Sequence, residues 1–158
     1  MARSLVGGLE LLVSLLRAPE LAVVTAAAAA VARMAVEDET LAVLSDHHVV
    51  SLLAILVKSV RLPSHRISAL HVRFCSVFLC NFFFGGGLQR HLDLKLRVAE
   101  AIAECCRWPG NPAELGAAGG VKPLIAYLNS SNTGLRRAAA KALNQVSSDH
   151  ENCMILHR

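Results

Sequence analysis

Apolar residues recur along this chain at the spacing of one helix face. They do so in three similar stretches: GGLELLVSLLRAPE from Gly7, HHVVSLLAILVKS from His47 and GGVKPLIAYLNSSN from Gly119. Leu9, Val49 and Val121 open the pattern, and Leu12, Leu52 and Leu124 follow three residues on. Val13, Leu53 and Ile125 come next, then Leu16, Leu56 and Leu128. Positions i, i+3, i+4 and i+7 lie on one stripe of an α-helix, so each stretch predicts a helix. The stripe leucines Leu12, Leu16, Leu52, Leu56, Leu124 and Leu128 are expected to be buried. A second, alanine-rich helix is predicted after each: VVTAAAAAVARMA from Val23, LKLRVAEAIAECC from Leu94 and GLRRAAAKALNQV from Gly134. Val31, Ile102 and Leu143 align there, and the alanines leave room for close helix approach.

Turn chemistry punctuates these helices. Paired glycines precede the first stripe residue in two copies, with His47 and His48 in their place in the third, which reads as a turn variant. Glycine ends one helix and permits a sharp turn into the next. Pro123 falls in a first helical turn, where a missing N–H costs nothing. Ser130, Ser131 and Asn132 offer capping oxygens before the last alanine-rich helix.

The spacing of the copies points to an architecture. Leu9 and Val49 are 40 residues apart, and both Leu9 to Val121 and Val31 to Leu143 span 112. A helical repeat of about 40 residues belongs to the armadillo/HEAT class of α-solenoids, in which stacked units bury a continuous core. The stretch at residues 119–144 closely resembles an armadillo repeat. The expected fold is all-α, an armadillo-type α-solenoid of about three repeats in a right-handed superhelix. The repeats are placed at residues 1–46, 47–118 and 119–158, with an irregular insert at 60–89 in the second.

That insert restores the register when it is excised. It holds all five phenylalanines, Cys75, Cys80 and the triplet Gly85, Gly86 and Gly87. Three readings are open: an exposed apolar loop for a membrane or partner, an added core element, or translated intron. The last is favoured, because Phe, Leu, Ser and Cys have pyrimidine-rich codons, Val codons begin GT and CAG encodes Gln.

Composition narrows the function classes. The chain of 158 residues is 54% apolar and only 4% aromatic, which suits small helix–helix gaps and not a sandwich or barrel. Its net charge is +4, with no block of five like charges, so neither a nucleic-acid nor a membrane partner is expected. Five cysteines, an odd number, argue against a disulfide framework and for a reducing, cytosolic setting. The opening residues read as a helix, since Glu10 interrupts the apolar run and the pattern returns downstream. No apolar stretch reaches the roughly 18 residues of a spanning helix. Cys105 and Cys106 point about 100° apart on a helix, so with Cys153, His150 and His157 they read as seam residues and not as a metal site. No phosphate loop or catalytic triad motif is present, and no enzyme, cofactor or metal is expected.

The non-consensus turns carry a more specific resemblance. They are E-D-E-x-L-A-V-L-S-D-H from Glu37, the Cys105-Cys106-x-Trp108-x-Gly-Asn turn, and S-x-D-x-x-N-C from Ser147 to Cys153. Through residues 35–59 and 99–157, the chain resembles armadillo-repeat subunits of outer dynein arm docking complexes. The resemblance implies a fragment of a non-enzymatic scaffold in the cytoplasm and ciliary axoneme. Its implied partners are docking-complex subunits and other axonemal proteins. A general cytosolic armadillo adaptor is the alternative. In peptide-binding armadillo proteins an asparagine ladder on the last helix of each repeat clamps the ligand. The matching positions are Ala32, Ala103 and Asn144, so only Asn144 fits, and the candidate groove residues are Asn144, Arg33 and Glu104. Trp108 lies in a turn outside the usual groove position.

Overall fold

A computed structural model describes residues 2–59 and 85–157. Among them the secondary structure is entirely helical: α1 (Ala2–Leu15), α2 (Leu21–Met34), α3 (Asp38–Asp46), α4 (Val49–Ser59), α5 (Gly85–Cys105), α6 (Asn111–Ala117), α7 (Val121–Tyr127), α8 (Thr133–Val146) and α9 (His150–Leu156). Two shorter helices and then a long one occur in α3–α4–α5, of 9, 11 and 21 residues, and again in α6–α7–α8, of 7, 7 and 14; the middle helix of each set is intermediate by its place. The periodicity predicted the intermediate and long helices. It did not separate out the short helices α3 and α6.

The long helices build the core. Val24, Ala27, Ala28 and Val31 form the buried stripe of α2. On α8 the stripe is Leu135, Ala138, Ala139, Ala142, Leu143 and Val146. Helix α5 lies between these two and packs extensively on both. It is therefore buried on more than one side, at Leu94, Val98, Ala99, Ala101, Ile102 and Ala103. Alanine has no side chain beyond Cβ, which lets these backbones approach closely at no rotamer cost. Local chemistry fixes where helices start. Asn132 Oδ1 accepts from Leu135 N at 2.9 Å to cap α8, and Asp149 Oδ2 accepts from Asn152 N at 3.0 Å to cap α9.

The long helices run parallel. Arg107, just past the end of α5, donates from Nη1 to Val36 O, just past the end of α2, at 3.5 Å. Lys141, late in α8, reaches Glu104 near the end of α5, while Gly134 at the start of α8 faces Leu96. Intermediate helices α1, α4 and α7 each pack on the long helix that follows them, and the short helices close the remaining side. This is an armadillo-type solenoid.

Three expectations shift. Leu16 and Leu124 are buried and Leu12, Leu52 and Leu56 are half-buried, but Leu128 is 39% exposed. Helix α7 ends at Tyr127, whose hydroxyl donates to Val57 O at 3.2 Å, so Tyr127 takes the inward place that the stripe gave to Leu128. Residues 85–89 of the expected irregular insert belong to α5, while 60–84 lie outside the described residues, and with them the expectations for that segment. The histidine pair does form a turn, with a different register from its glycine counterpart. His48 carries the positive φ of 51°, whereas in the glycine pair Gly119 does, at 75°.

No single helix among the described residues is long and apolar enough to cross a membrane. The bent pair α3–α4, which passes on length and composition together, turns by 73° and buries Leu41, Leu44, Leu53 and Val57 inside the stack.

Candidate functional site

Parallel stacking of α2, α5 and α8 leaves one open groove, of about 580 Å³, along the face that the intermediate helices do not cover. Its walls are small: Ala29 and Ala32 on one side, Gly134 and Ala138 on the other. Its charges are Arg33, Arg97, Arg137 and Lys141 against Glu100 and Glu104. Cations therefore outnumber carboxylates.

Some of these charges are engaged. Arg97 Nη1 donates to Glu100 Oε2 at 2.9 Å, one turn along α5. Lys141 Nζ donates to Glu104 Oε1, bridging α8 to α5. Arg107 Nη1 lies 3.6 Å from Glu104 Oε2. Glu104 is thus shared by two cations and is the best-sheltered of the three side chains. Exposed pairs of this kind contribute little to stability, about 0–1 kcal/mol each, so they are available for exchange. Arg33 and Arg137 make no ion pair among the described residues.

The three candidate residues separate. Arg33 and Glu104 line the same groove, 71 residues apart, as are Val31 and Ile102. Asn144 is exposed on α8 and is not part of the lining. Ala103, its counterpart on α5, is fully buried where that helix is flanked on both sides. The same position on α2, Ala32, does line the groove, so its surroundings differ from repeat to repeat. Sequence reasoning passed over Arg97, Arg137, Glu100 and Lys141. The signal lay in counting back from Glu104 by four and seven residues, which stays on the same helix face and reaches Glu100 and Arg97.

Other reactive groups are committed to packing. Cys105 is buried, and burial, with the adjacent Glu104 charge, pushes its thiol up to about 12. Cys106 is raised in the same direction by burial first, then by Cys105 and Glu114. Thiols held protonated in this way are poor nucleophiles and poor metal ligands. Cys153 Sγ lies 3.0 Å from Ser147 O. No group of three or more metal-ligating side chains occurs among the described residues. Lys95, on α5, is 2% exposed and sits 5.4 Å from the centre of the Tyr127 ring. Burial lowers its pKa, and the ring face supplies a partial counter-charge. Trp108 packs against the core and is not in the groove.

Comparison with known proteins agrees with this architecture. No protein-family model matches the chain. It is 31% identical over 159 positions to the armadillo repeat-containing protein gudu of Drosophila melanogaster, which covers 100% of this chain and 19% of that protein. It is 36% identical over 111 residues to outer dynein arm-docking complex subunit 2 of Bos taurus, covering 70% of this chain and 8% of that one. The Mus musculus protein of the same name is 46% identical over 59 residues, covering 37% of this chain and 6% of that one. Among solved structures, the crystal structure of an engineered protein superposes with a TM-score of 0.63 at 25% identity, over 90% of this chain and 28% of that one. The chain thus spans about a fifth, or less, of the length of these curated relatives. The parallel stack of long helices is armadillo-type, and over all or part of its length the chain is similar in sequence to the armadillo repeat-containing protein gudu and to outer dynein arm-docking complex subunit 2.

Proposed function

We propose that this chain is a protein-interaction scaffold segment that helps to dock outer dynein arms on ciliary doublet microtubules. The coarser part rests on the fold. An armadillo-type stack offers a long, rigid surface and an open, charged groove, with the Cys105 and Cys106 thiols buried and held protonated. The docking role draws on the resemblance to docking-complex subunits along 70% of the chain. The one observation that carries the reading is the conjunction of that resemblance with a groove whose charged lining residues lie outside the core.

The test is cell-biological. Axonemes isolated from cells with motile cilia should contain the protein after detergent extraction, and it should cross-link to docking-complex subunits. Its depletion should reduce the number of outer arms seen by electron microscopy. A protein absent from extracted axonemes, with intact outer arms after depletion, overturns the docking role and favours a general cytosolic adaptor.

A further inference from the structure

We infer that copies of this chain stack head to tail, with α2 of one copy packed on α8 of another, so that the seam between long helices continues from chain to chain. The inference goes beyond the docking reading and does not depend on it.

Repeat-equivalent positions carry the argument. Equivalent residues lie 71 apart between α2 and α5 and 41 apart between α5 and α8, the offsets of Val31, Ile102 and Leu143. Helix α5 packs on a long helix at each side, whereas α2 and α8 each pack on α5 alone. A position that faces the following long helix should therefore be buried on α2 and α5 and open on α8. Ala28, Ala99 and Ala140 behave so: the first two are fully buried and the third is exposed. At the helix ends Ala35 and Cys106 are buried, and their equivalent Ser147 is half-buried. A position that faces the preceding long helix should be open on α2 alone. Val23, Ala30 and Met34 are half-buried there. Their equivalents are buried, as Leu94, Ala101 and Cys105 on α5 and as Leu135, Ala142 and Val146 on α8.

The two open lines are the halves of one seam. On α8 the open line is small, Ala140, Asn144 and Ser147, as its buried counterpart on α5 is, with Ala99, Ala103 and Cys106. On α2 the open line is Val23, Ala30 and Met34, which keeps the order of large, small, large that α8 turns towards α5. The seam between α5 and α8 is thus a pattern that α2 of a second copy reproduces on α8, with similar volumes in register. The short helices point to the same occupant. Leu44 and Leu115 are buried, and Leu115 lies against Gly120 at the start of α7. Leu156, their equivalent on α9, is half-buried. An intermediate helix is what α9 lacks among the described residues, and α1 arrives with α2 of the second copy to supply it.

Symmetry selects the head-to-tail arrangement. The open lines lie on opposite sides of the stack and are unlike, so the contact is heterologous, and each added copy leaves one line open for the next. A two-fold pair through α8 would set Asn144 and Ser147 against their own copies and leave Val23 and Met34 in water.

Sedimentation velocity with the full chain tests this. The weight-average mass should rise about threefold between about 5 and about 500 µM, through dimers and larger species. Ala30→Arg blocks the α2 line and Ala140→Arg the α8 line, each at a position outside the buried core. Each variant alone should stay monomeric, with an unchanged circular dichroism spectrum. Mixed in equal amounts, the two should form a dimer that grows no further, because each supplies the line that the other lacks. A chain that is monomeric at every concentration overturns the inference and leaves both lines to helices of another protein. Association that survives in both variants overturns it as well, since the contact then lies elsewhere. Loss on Ala140→Arg alone, with no rescue on mixing, replaces it with a two-fold pair.

Discussion

Two junctions between short helices do the same job with different chemistry. Where α3 meets α6, Ser45 Oγ donates to Asn111 Oδ1 at 2.9 Å, and Asn111 Nδ2 donates to Cys105 O at 2.8 Å. Where α6 meets α9, the serine's place is taken by Gly116 and the asparagine's by Asn152. Ser45 and Gly116 are 71 residues apart, matching Val31 to Ile102, and Asn111 and Asn152 are 41 apart, matching Ile102 to Leu143. A Cβ on Gly116 would overlap the Asn152 carboxamide, which moves into the space the glycine leaves. From there Asn152 Nδ2 donates to Pro112 O at 2.7 Å and to Val146 O at 3.3 Å. Both asparagines are almost fully buried, and both tie a short helix to the last turn of the long helix before it. The neighbouring short helix is held by a serine hydroxyl in one case and, in the other, by the amide bond to Pro112 O that the close approach at Gly116 permits. A buried amide with its donors and acceptors filled is a position-specific pin, because a slip of the stack would leave those groups unpaired.

Breaking the first pin should have the largest effect. Asn111→Ala removes the acceptor of Ser45 and a donor to Cys105 O, and urea unfolding should show a loss of about 2–3 kcal/mol. A loss under half of that would mean that water replaces the amide and that burial, not pairing, defines the junction. The second junction should respond to bulk instead. Gly116→Ala should cost about 1–3 kcal/mol by overpacking against Asn152. Combined with Asn152→Ala, it should cost less than the sum of the two single changes, since the clash disappears with the amide. Strict additivity would show that Gly116 does not make room for Asn152.

Ser45→Ala is the milder counterpart. It removes one part-buried hydrogen bond and should cost about 1 kcal/mol, with no coupling to Asn152. Chemical denaturation of the single and double variants measures both quantities.

The smallest difference is one of pH. Cys105 ends the long helix at the first junction, and Val146 holds the matching place at the second. Burial raises the Cys105 thiol to about 12 from an ordinary 9.0, so the folded state keeps a proton that the unfolded state loses. Its contribution is complete below pH 9 and is lost as pH climbs towards 12. Cys106 and Tyr127 are shifted in the same direction, so the denaturation midpoint should fall in alkali. Cys105→Val should make that fall shallower without removing it. An identical alkaline slope in the variant would show that this thiol is not the source.

What could be read from the sequence follows from what each signal measures. Helix content, the alternation of intermediate and alanine-rich helices, the period of about 40 and the armadillo-type stack were legible because they rest on local spacing repeated along the chain. That Arg33 and Glu104 share one repeat position was legible for the same reason. Leu128, Asn144 and Ala103 were not. A stripe says that a helix has an inward face, but how much of that face is covered depends on how many neighbours the stack supplies. Helix α5 has a long helix on each side, so its Ala103 disappears; α7 stops at Tyr127, so its Leu128 is left at the rim. The asparagine pins were equally hidden. Asn111 and Asn152 look like turn residues in a chain, and only helices from separate repeats bring Ser45, Pro112 and Gly116 against them. Periodicity is a property of neighbours in sequence, whereas burial and pairing are properties of neighbours in space, and those the tertiary structure alone decided.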